Sequence, residues 1–327
     1  MITISRRFPI NIIEQDENLF RHEIIKQIET NQIFYLNNII SDGTLNIYYQ
    51  KKISEKIFEK LEKKSFNIRH FFKKLILLKF RIYKSTAIII TDGWSSGYFH
   101  WMLDCLPRMM LVYKSSKTEK IILPGSLKQF SFVHESLQIL KIKNYTFLKE
   151  EYLYFLKKVL FPAHLAPTGN YNPEVLQKLR TNFLSGVEIK KVFPEKIYIS
   201  RALSSKRKIT NEDEIIKLLG EFGYVAVYCE QLSLREQASL FASVKCVIAN
   251  HGAGLTNILF MPAGANVLEL RAEDDVQNNC YFSLASAMEL NYYYLKSSID
   301  KKNKDLHNAD VTVDAASLTK LLIQFNL

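Results

Sequence analysis

The stretch from Val244 to Leu270 constrains the fold of this chain more than any other. It contains an apolar run, a loop with Gly252 and Gly254, a short apolar segment, a Pro-Ala-Gly turn and a second apolar run. This order predicts a strand, a glycine loop, a helix and a second strand of a parallel α/β sheet. Such a loop can bind a nucleotide, because glycines let backbone N–H groups approach a phosphate and a helix N-terminus favours negative charge. A tight strand-to-helix turn without any ligand uses the same glycines, so both interpretations stay open here.

Two nucleotide-binding motifs are excluded by the residues around this loop. Position 257 is Asn, so the G-x-G-x-x-G dinucleotide pattern is incomplete, and no G-x-x-x-x-G-K-[ST] occurs anywhere in the chain. Glu269 closes the second apolar run, where a carboxylate can bind ribose hydroxyls or form a strand-end ion pair.

The remainder of the second half alternates between helical and strand-like segments from about residue 173 to residue 295. This alternation predicts a doubly wound parallel sheet with its ligand at the carboxyl ends of the strands. A length of 327 residues exceeds one typical core, and residues 162–173 hold three prolines and a glycine. We therefore predict two domains, 1–166 and 167–327, with a last helix at 318–325 that docks back on the first domain.

Positive charge is concentrated in the first half of the chain. Residues 1–165 hold 26 Lys and Arg against 15 Asp and Glu, whereas residues 166–327 hold 18 of each, so the net charge of +11 belongs to the first half. The excess centres on residues 51–84, where basic and aromatic residues alternate. This segment is either a solvated basic face or a peripheral contact with anionic lipid, and no nucleic-acid motif accompanies it.

The chain shows neither a secretory signal nor a run of 18 apolar residues, and its four cysteines form no C-x-x-C. We expect packed thiols in a cytoplasmic protein that can sit at the inner face of the membrane.

Several segments resemble motifs of the glycosyltransferases of family 61, and they occur in the same order along the chain. They are His-Gly-Ala-Gly-Leu-Thr-Asn at 251–257 with the following Phe-x-Pro-x-Gly, His-Trp-x-x-Asp-x-Leu-Pro-Arg at 100–108, Tyr-Ile-Ser-Arg at 198–201 and Leu-Ser-Leu-Arg-Glu-Gln at 232–237. The resemblance covers about residues 92–271 and implies a GT-B-like architecture, in which two Rossmann-like doubly wound domains face each other across a cleft. It also implies an inverting transfer from a nucleotide sugar, with a UDP-sugar as the expected donor and a glycan or lipid-linked glycan as the acceptor, in bacterial capsular or surface polysaccharide assembly.

The donor diphosphate is expected to bind cationic side chains and a helix N-terminus rather than a metal ion, because the chain has no D-x-D pair. We therefore expect neither a metal nor another cofactor. Arg201 is the first candidate for the diphosphate because a guanidinium binds phosphate through two hydrogen bonds. The predicted donor-binding residues are Arg201, Lys206, Arg207, Gly252, Ala253, Gly254, Leu255, Thr256, Asn257 and Glu269.

The acceptor hydroxyl must lose a proton, and three residues are candidates for the catalytic group. His100 and Asp104 lie four residues apart, so a helix brings them to one face, with either as the base and the other as its orienter. His251 immediately precedes the glycines and is the third candidate. Arg108 and Trp101 are expected to pack structurally, and His164 has no partner that the sequence reveals.

Two other functions compete with sugar transfer. A pyruvyl transferase acting on surface glycans fits the same architecture, but it leaves Glu269 without a ribose to bind. A glycan- or nucleotide-binding protein without catalysis is the non-enzyme alternative, which the retained charged residues disfavour.

Overall fold

The structure, a computed structural model, describes residues 1–28, 32–45, 47–49, 79–112, 119–189, 193–273, 275–299 and 308–327. Its contacts divide the chain into two compact units. Residues 29–165 form one, here called the middle unit, and residues 1–28 together with 166–327 form the other, here called the terminal unit. The predicted basic segment at 51–84 lies mostly outside the described residues.

The middle unit is built on a six-stranded mixed sheet in the order β4-β3-β8-β5-β6-β7. Its strands are β3 (Ile33–Asp42), β4 (Ile47–Tyr49), β5 (Lys79–Ile88), β6 (Glu119–Leu123), β7 (Tyr145–Phe147) and β8 (Tyr152–Pro162). The four from β8 to β7 run parallel, and β3 pairs antiparallel with both β4 and β8.

Helices connect the parallel strands of the middle unit. Helix α2 joins β5 to β6 and consists of Tyr98–His100, a π-helical turn at Trp101–Cys105 and Leu106–Val112. Helix α3 (Ser131–Ile139) follows β6 after the short 3-10 helix Gly125–Gln129. Gly97 precedes helix α2 without a side-chain cap, and the nearby Ser95 hydroxyl bonds to Asp92.

The terminal unit holds a second six-stranded sheet in the order β10-β9-β11-β12-β13-β14, parallel except for β14. Its strands are β9 (Lys196–Ile199), β10 (Val225–Val227), β11 (Cys246–Asn250), β12 (Asn266–Ala272), β13 (Asn291–Ile299) and β14 (Val311–Thr312). Its helices are α4 (Pro173–Leu184), α5 (Glu212–Glu221), α6 (Leu234–Phe241), α7 (Cys280–Ala287) and α8 (Ala315–Phe325). The prediction of an α/β fold with parallel-rich sheets is confirmed in both units.

The segment after the glycine loop is a helix, as predicted, and it is a 3-10 helix, Ala253–Phe260, whose N–H groups bond three residues back, as from Leu255 to Gly252. The last helix, α8, packs into the core of the terminal unit against Ile215 and Leu219 of α5, so its apolar face is covered there.

The first 28 residues pack with the second half of the chain. They hold β1 (Ile2–Ser5), a short 3-10 helix, α1 (Glu17–Ile24) and β2 (Ile25–Ile28), and β1 pairs antiparallel with β2. Phe20 is fully buried against Phe282, Tyr292 and Tyr294, and burial of an aromatic ring is among the largest apolar contributions a residue can make. The terminal unit thus includes residues that the predicted boundary at 166 assigns to the first domain. The division into domains 1–166 and 167–327 stays a prediction.

All four cysteines are free thiols. Among the described residues, no helix has the length and apolar character needed to cross a membrane.

Candidate functional site

The topology of the middle unit marks one edge of its sheet for ligand binding. The chain passes from β5 to β6 and β7 in one direction and then returns to place β8 on the other side of β5. In parallel sheets, ligands bind beyond the carboxyl ends of the strands at such a switch point. Asp92 follows the carboxyl end of β5, and His164 follows that of β8.

His100 and Asp104 form a pair on α2. His100 Nδ1 lies 2.8 Å from Asp104 Oδ2, so the contact predicted from their spacing is present. The imidazole is 24% exposed, whereas the carboxylate is nearly buried. Because Nδ1 is engaged by Asp104, Nε2 is the ring nitrogen left for a substrate hydroxyl. Asp104 lies within the π-helical turn Trp101–Cys105, which begins directly after His100, and π-turns occur frequently at functional sites.

A second imidazole–carboxylate pair adjoins the first. His164 Nε2 lies 2.8 Å from Asp92 Oδ2, and His164 Nδ1 lies 3.8 Å from Asp104 Oδ1. Asp104 therefore has an imidazole on each side. The sequence does not reveal a partner for His164, because it lies 60 positions after Asp104 and only the return of β8 beside β5 brings the two together.

Arg108 anchors this cluster from below the surface. Its guanidinium is fully buried, donates from Nε to the carbonyl of Pro162 at 2.8 Å and lies 3.4 Å from Asp92. Burial alone would raise the pKa of Asp92, but the hydrogen bond with His164, the Arg108 charge and the Trp94 N–H together hold that pKa well below its ordinary value. Asp92 is therefore an anion at neutral pH, and Arg108 has the structural role predicted for it.

The terminal unit has its own switch point. Strand β10 lies on one side of β9, and β11, β12 and β13 lie on the other, so the chain reverses its direction of growth between β9 and β11. Arg201 follows the carboxyl end of β9, and Gly252 follows that of β11. These are the two positions at which the sequence predicted a phosphate site.

Neutral oxygens hold the Arg201 side chain in place. Its Nε donates to the carbonyl of Arg207 at 2.9 Å, and its Nη2 donates to Ser204 Oγ at 2.7 Å and to the carbonyl of Lys206 at 2.8 Å. Burial lowers the pKa of Arg201, and the nearby positive charge of Arg207 lowers it further. Two cations thus lie close together, and the charges of Glu230 and Glu212, which raise the pKa of Arg201, have smaller effects than that of Arg207.

Gly252 is required by the position of Arg201. A Cβ atom at residue 252 would overlap Arg201 Nη1. The guanidinium cannot swing away freely, because its other nitrogens are bound to the 204–207 loop. The glycine therefore lets the guanidinium lie directly against the backbone of the loop.

The other residues of the glycine loop mainly pack. A Cβ at Gly254 would lie 3.0 Å from Ile199 of β9, and the N–H of Leu255 is taken by the carbonyl of Gly252. Asn257 is fully buried and donates to Gln237 of α6 at 2.7 Å. Thr256 is also buried. Of the predicted loop residues, Ala253 at the tip is exposed.

His251 forms an imidazole–carboxylate pair in the terminal unit. Its Nδ1 lies 2.5 Å from Glu269 Oε1, and the hydroxyl of Tyr292 donates to Glu269 Oε2 at 2.5 Å. Glu269 has no exposed surface. This geometry favours a role for Glu269 in orienting His251 over the predicted contact with ribose.

Lys206 and Arg207 lie in the loop after β9, as expected. The Lys206 side chain is exposed, while the backbone of Arg207 is in the left-handed region with φ at 55°. This turn directs the carbonyl of Arg207 to both Arg201 and Asn250. Arg207 Nε is buried without a hydrogen-bond partner among the described residues.

No group of three or more His, Cys, Asp or Glu side chains in the described part of the chain is arranged to hold a metal ion. Metal-independence itself stays a prediction.

The fold and the two sites define an α/β protein with a guanidinium-lined anion site in one unit and an imidazole–carboxylate cluster in the other. Comparison with known families agrees: the sequence model of glycosyltransferase 61 matches residues 98–268. That is more than half of the chain, and it includes His100, Asp104, Arg201 and the glycine loop. The chain belongs to the glycosyltransferase 61 family.

Individual relatives are more distant. A β-1,2-xylosyltransferase of rice, Oryza sativa subsp. japonica, is 24% identical over 284 residues, which are 74% of this chain and 50% of the relative. EGF domain-specific O-linked N-acetylglucosamine transferases of Drosophila melanogaster and Mus musculus are 34% and 35% identical over 98 and 92 residues. These alignments cover 29% and 26% of this chain, and 18% and 17% of the two relatives. The chain thus spans half the length of the rice relative.

Proposed function

We propose that this protein transfers a sugar from a nucleotide sugar to a hydroxyl of a glycan. The observation that carries the proposal is the pairing of Arg201 with Gly252 at the switch point of the terminal sheet. A guanidinium that lies against the backbone, held by neutral oxygens and beside a second cation, suits a leaving diphosphate. Family membership supplies the reaction class.

In the proposed reaction, His100 is the base. Its Nε2 accepts the proton of the acceptor hydroxyl, and Asp104 orients the ring through Nδ1 and stabilises the imidazolium that forms. The hydroxyl oxygen attacks the anomeric carbon as the bond from that carbon to the diphosphate oxygen breaks. A single displacement of this kind inverts the anomeric configuration.

Residues of the terminal unit stabilise the negative charge that develops on the diphosphate. Arg201 and Arg207 stabilise it electrostatically, and the exposed Lys206 can approach it from the loop. His251, oriented through Nδ1 by Glu269, has Nε2 left to hydrogen-bond a phosphate oxygen. With three cationic side chains available, we propose that the transfer needs no divalent cation.

The donor, the domain arrangement and the cellular setting of the reaction are also proposed. A UDP-sugar is the proposed donor, and xylose and N-acetylglucosamine are the first sugars to test, since the relatives' names specify them. The GT-B-like arrangement of two Rossmann-like domains, the cytoplasmic setting at the membrane surface and the role in bacterial capsular or surface polysaccharide assembly rest on the family resemblance and the charge pattern of the sequence.

A thermal-shift panel tests the donor site. The ligands are UDP, GDP, ADP, CDP, TDP, CMP and phosphoenolpyruvate, each with and without EDTA. A ligand at large excess over its Kd stabilises by about 2–4 kcal/mol. We expect UDP to stabilise the protein in EDTA and Arg201→Ala to abolish that shift. The matched control is Arg235→Ala, which removes an exposed arginine of α6.

The other outcomes of the panel point elsewhere. A shift with phosphoenolpyruvate alone would favour a pyruvyl transferase. A UDP shift that disappears in EDTA would contradict metal-independence. If no nucleotide shifts the wild-type protein, the donor site proposed here is wrong.

A further inference from the structure

Trp94 is a large apolar side chain that the proposed reaction does not yet use. It is 64% exposed, whereas the other tryptophan of the chain, Trp101, is fully buried and donates its Nε1–H to Ser136. Exposed apolar surface of this size gains no burial energy in the folded protein. Its position, rather than its exposure alone, indicates a use.

The loop that carries Trp94 is fixed by hydrogen bonds. Asp92 Oδ1 accepts from the Trp94 N–H at 2.9 Å and from Ser95 Oγ at 3.1 Å, and the carbonyl of Trp94 accepts from the Gly97 N–H at 2.9 Å. Asp92 is itself bound to His164 and lies beside Arg108. The indole is therefore presented to solvent on a rigid turn, so a ligand that meets it would order little of the chain.

The indole also adjoins the proposed base. The ring centroids of Trp94 and His100 are 5.7 Å apart, with 36° between their planes. A Cβ at Gly97 would lie 3.3 Å from His100 Cδ2, so the absence of a side chain there lets the imidazole settle against this turn. A ring that stacked on Trp94 would bring its own substituents, or those of a linked ring, next to His100.

A pyranose ring has the chemistry for this surface. One face of the sugar presents several C–H groups, which are apolar and weakly positive, and the face of an indole is apolar and carries negative π-density. The hydroxyls at the rim of the sugar stay free for a base. We propose that Trp94 is the stacking platform for a pyranose ring of the acceptor glycan, a role that rests on the proposed function and specifies its acceptor as a carbohydrate.

Intrinsic fluorescence provides the first test, because the chain has only two tryptophans and only Trp94 is exposed. The probes are xylo-, cello-, chito- and N-acetyllactosamine-type oligosaccharides. We expect at least one of them to protect the wild-type protein from acrylamide quenching and to shift its emission to shorter wavelength. Trp94→Phe, which leaves only the buried Trp101, should lose both signals.

Kinetics with the oligosaccharide that binds provide the second test. Trp94→Ala should raise the acceptor KM by about tenfold, with kcat within about threefold and donor binding unchanged, whereas Trp94→Tyr should restore most of the affinity. Tyr35→Ala is the matched control, since Tyr35 is an aromatic residue of the same unit with 76% exposure. It should behave as wild type.

Two results would overturn the platform: no oligosaccharide of the panel protects Trp94, or Trp94→Ala binds the glycan as well as Tyr35→Ala does. Failure of the transferase proposal has a different signature, which is wild-type protein that releases no nucleotide from any nucleotide sugar. A glycan that protects Trp94 in such a protein would leave the platform in place and assign the chain a binding role.

Discussion

The two switch points occupy equivalent places in their sheets but differ in how their charges are balanced. In the middle unit, two carboxylates are each matched by an imidazole, and Arg108 completes the cluster from the interior. In the terminal unit, neutral oxygens accept hydrogen bonds from the Arg201 side chain, and the charge of Arg207 affects Arg201 more than those of Glu230 and Glu212 do. Imidazole–carboxylate pairs can take up a proton, whereas a guanidinium bonded by neutral oxygens can bind an anion.

The imidazoles of the two units also differ, in how far they are exposed to solvent. His100 and His164 are 24% and 22% exposed, so a bulky hydroxyl-bearing substrate can reach them. His251 is nearly buried, and its carboxylate partner has no exposed surface at all. Each of the two parallel-rich sheets thus has a switch point at the carboxyl ends of its strands, and the side chains at each switch point decide its chemistry.

The largest effect is expected from the middle unit. His100→Ala should lower the transfer rate by about 10³-fold, because it removes the general base, while the UDP thermal shift stays as in wild type. Asp104→Asn should also abolish transfer and leave donor binding nearly intact. His134→Ala is the matched control, since His134 is a partly exposed histidine of the same unit that bonds only to the backbone of Lys128 in the described contacts. Full activity of His100→Ala would move the role of base to Asp104 or His251.

Asp92→Asn should affect stability more than any other change at the two switch points. It leaves Arg108 buried without its carboxylate, which costs about 3 kcal/mol in the free energy of unfolding at pH 7. The folded-state pKa of Asp92 lies below its ordinary value, so its stabilising contribution is complete at pH above the unfolded-state value, about 4, and declines as the pH falls further. Urea unfolding of both proteins at pH 7 and pH 3 measures this. A difference that grows on acidification would contradict the charge assignment.

Gly252→Ala tests the terminal unit without removing a charge. The added methyl group displaces Arg201 Nη1, so nucleoside diphosphate affinity should fall about 30-fold by calorimetry while the protein stays folded. Gly220→Ala is the matched control, because a Cβ there meets nothing within 4 Å. Equal nucleoside diphosphate affinity in the two variants would show that the position of Arg201 does not matter for donor binding.

The sequence predicts the parallel strands and most helices of the terminal unit because apolar periodicity and glycine turns are local signals, whereas the doubly wound sheet of the middle unit was expected from the family resemblance alone. It also predicts the His100–Asp104 contact, since four residues on a helix share a face. It does not predict His164, whose position depends on strand order, a non-local property.

The sequence also misses how polar groups are shared once they are buried. Glu269 lies in the middle of β12 rather than at its end, where it was predicted, and both its oxygens are taken by His251 and Tyr292 from other elements. Asn257 was predicted to bind the nucleotide, and in the structure its side-chain amide donates to Gln237 and so joins the glycine loop to α6. Residue type and spacing locate such groups, but their partners depend on the tertiary packing.

The smallest effect is expected from a change at the second imidazole–carboxylate pair of the middle unit. His164→Gln keeps a side chain that can hydrogen-bond Asp92 but removes the second imidazole beside Asp104. We expect kcat/KM to fall about tenfold, or about 1.4 kcal/mol, with an unchanged UDP thermal shift. A merely structural His164 would lower stability and leave kcat/KM unchanged. With His134→Gln as the matched control, that outcome would restrict the acid–base cluster to His100 and Asp104.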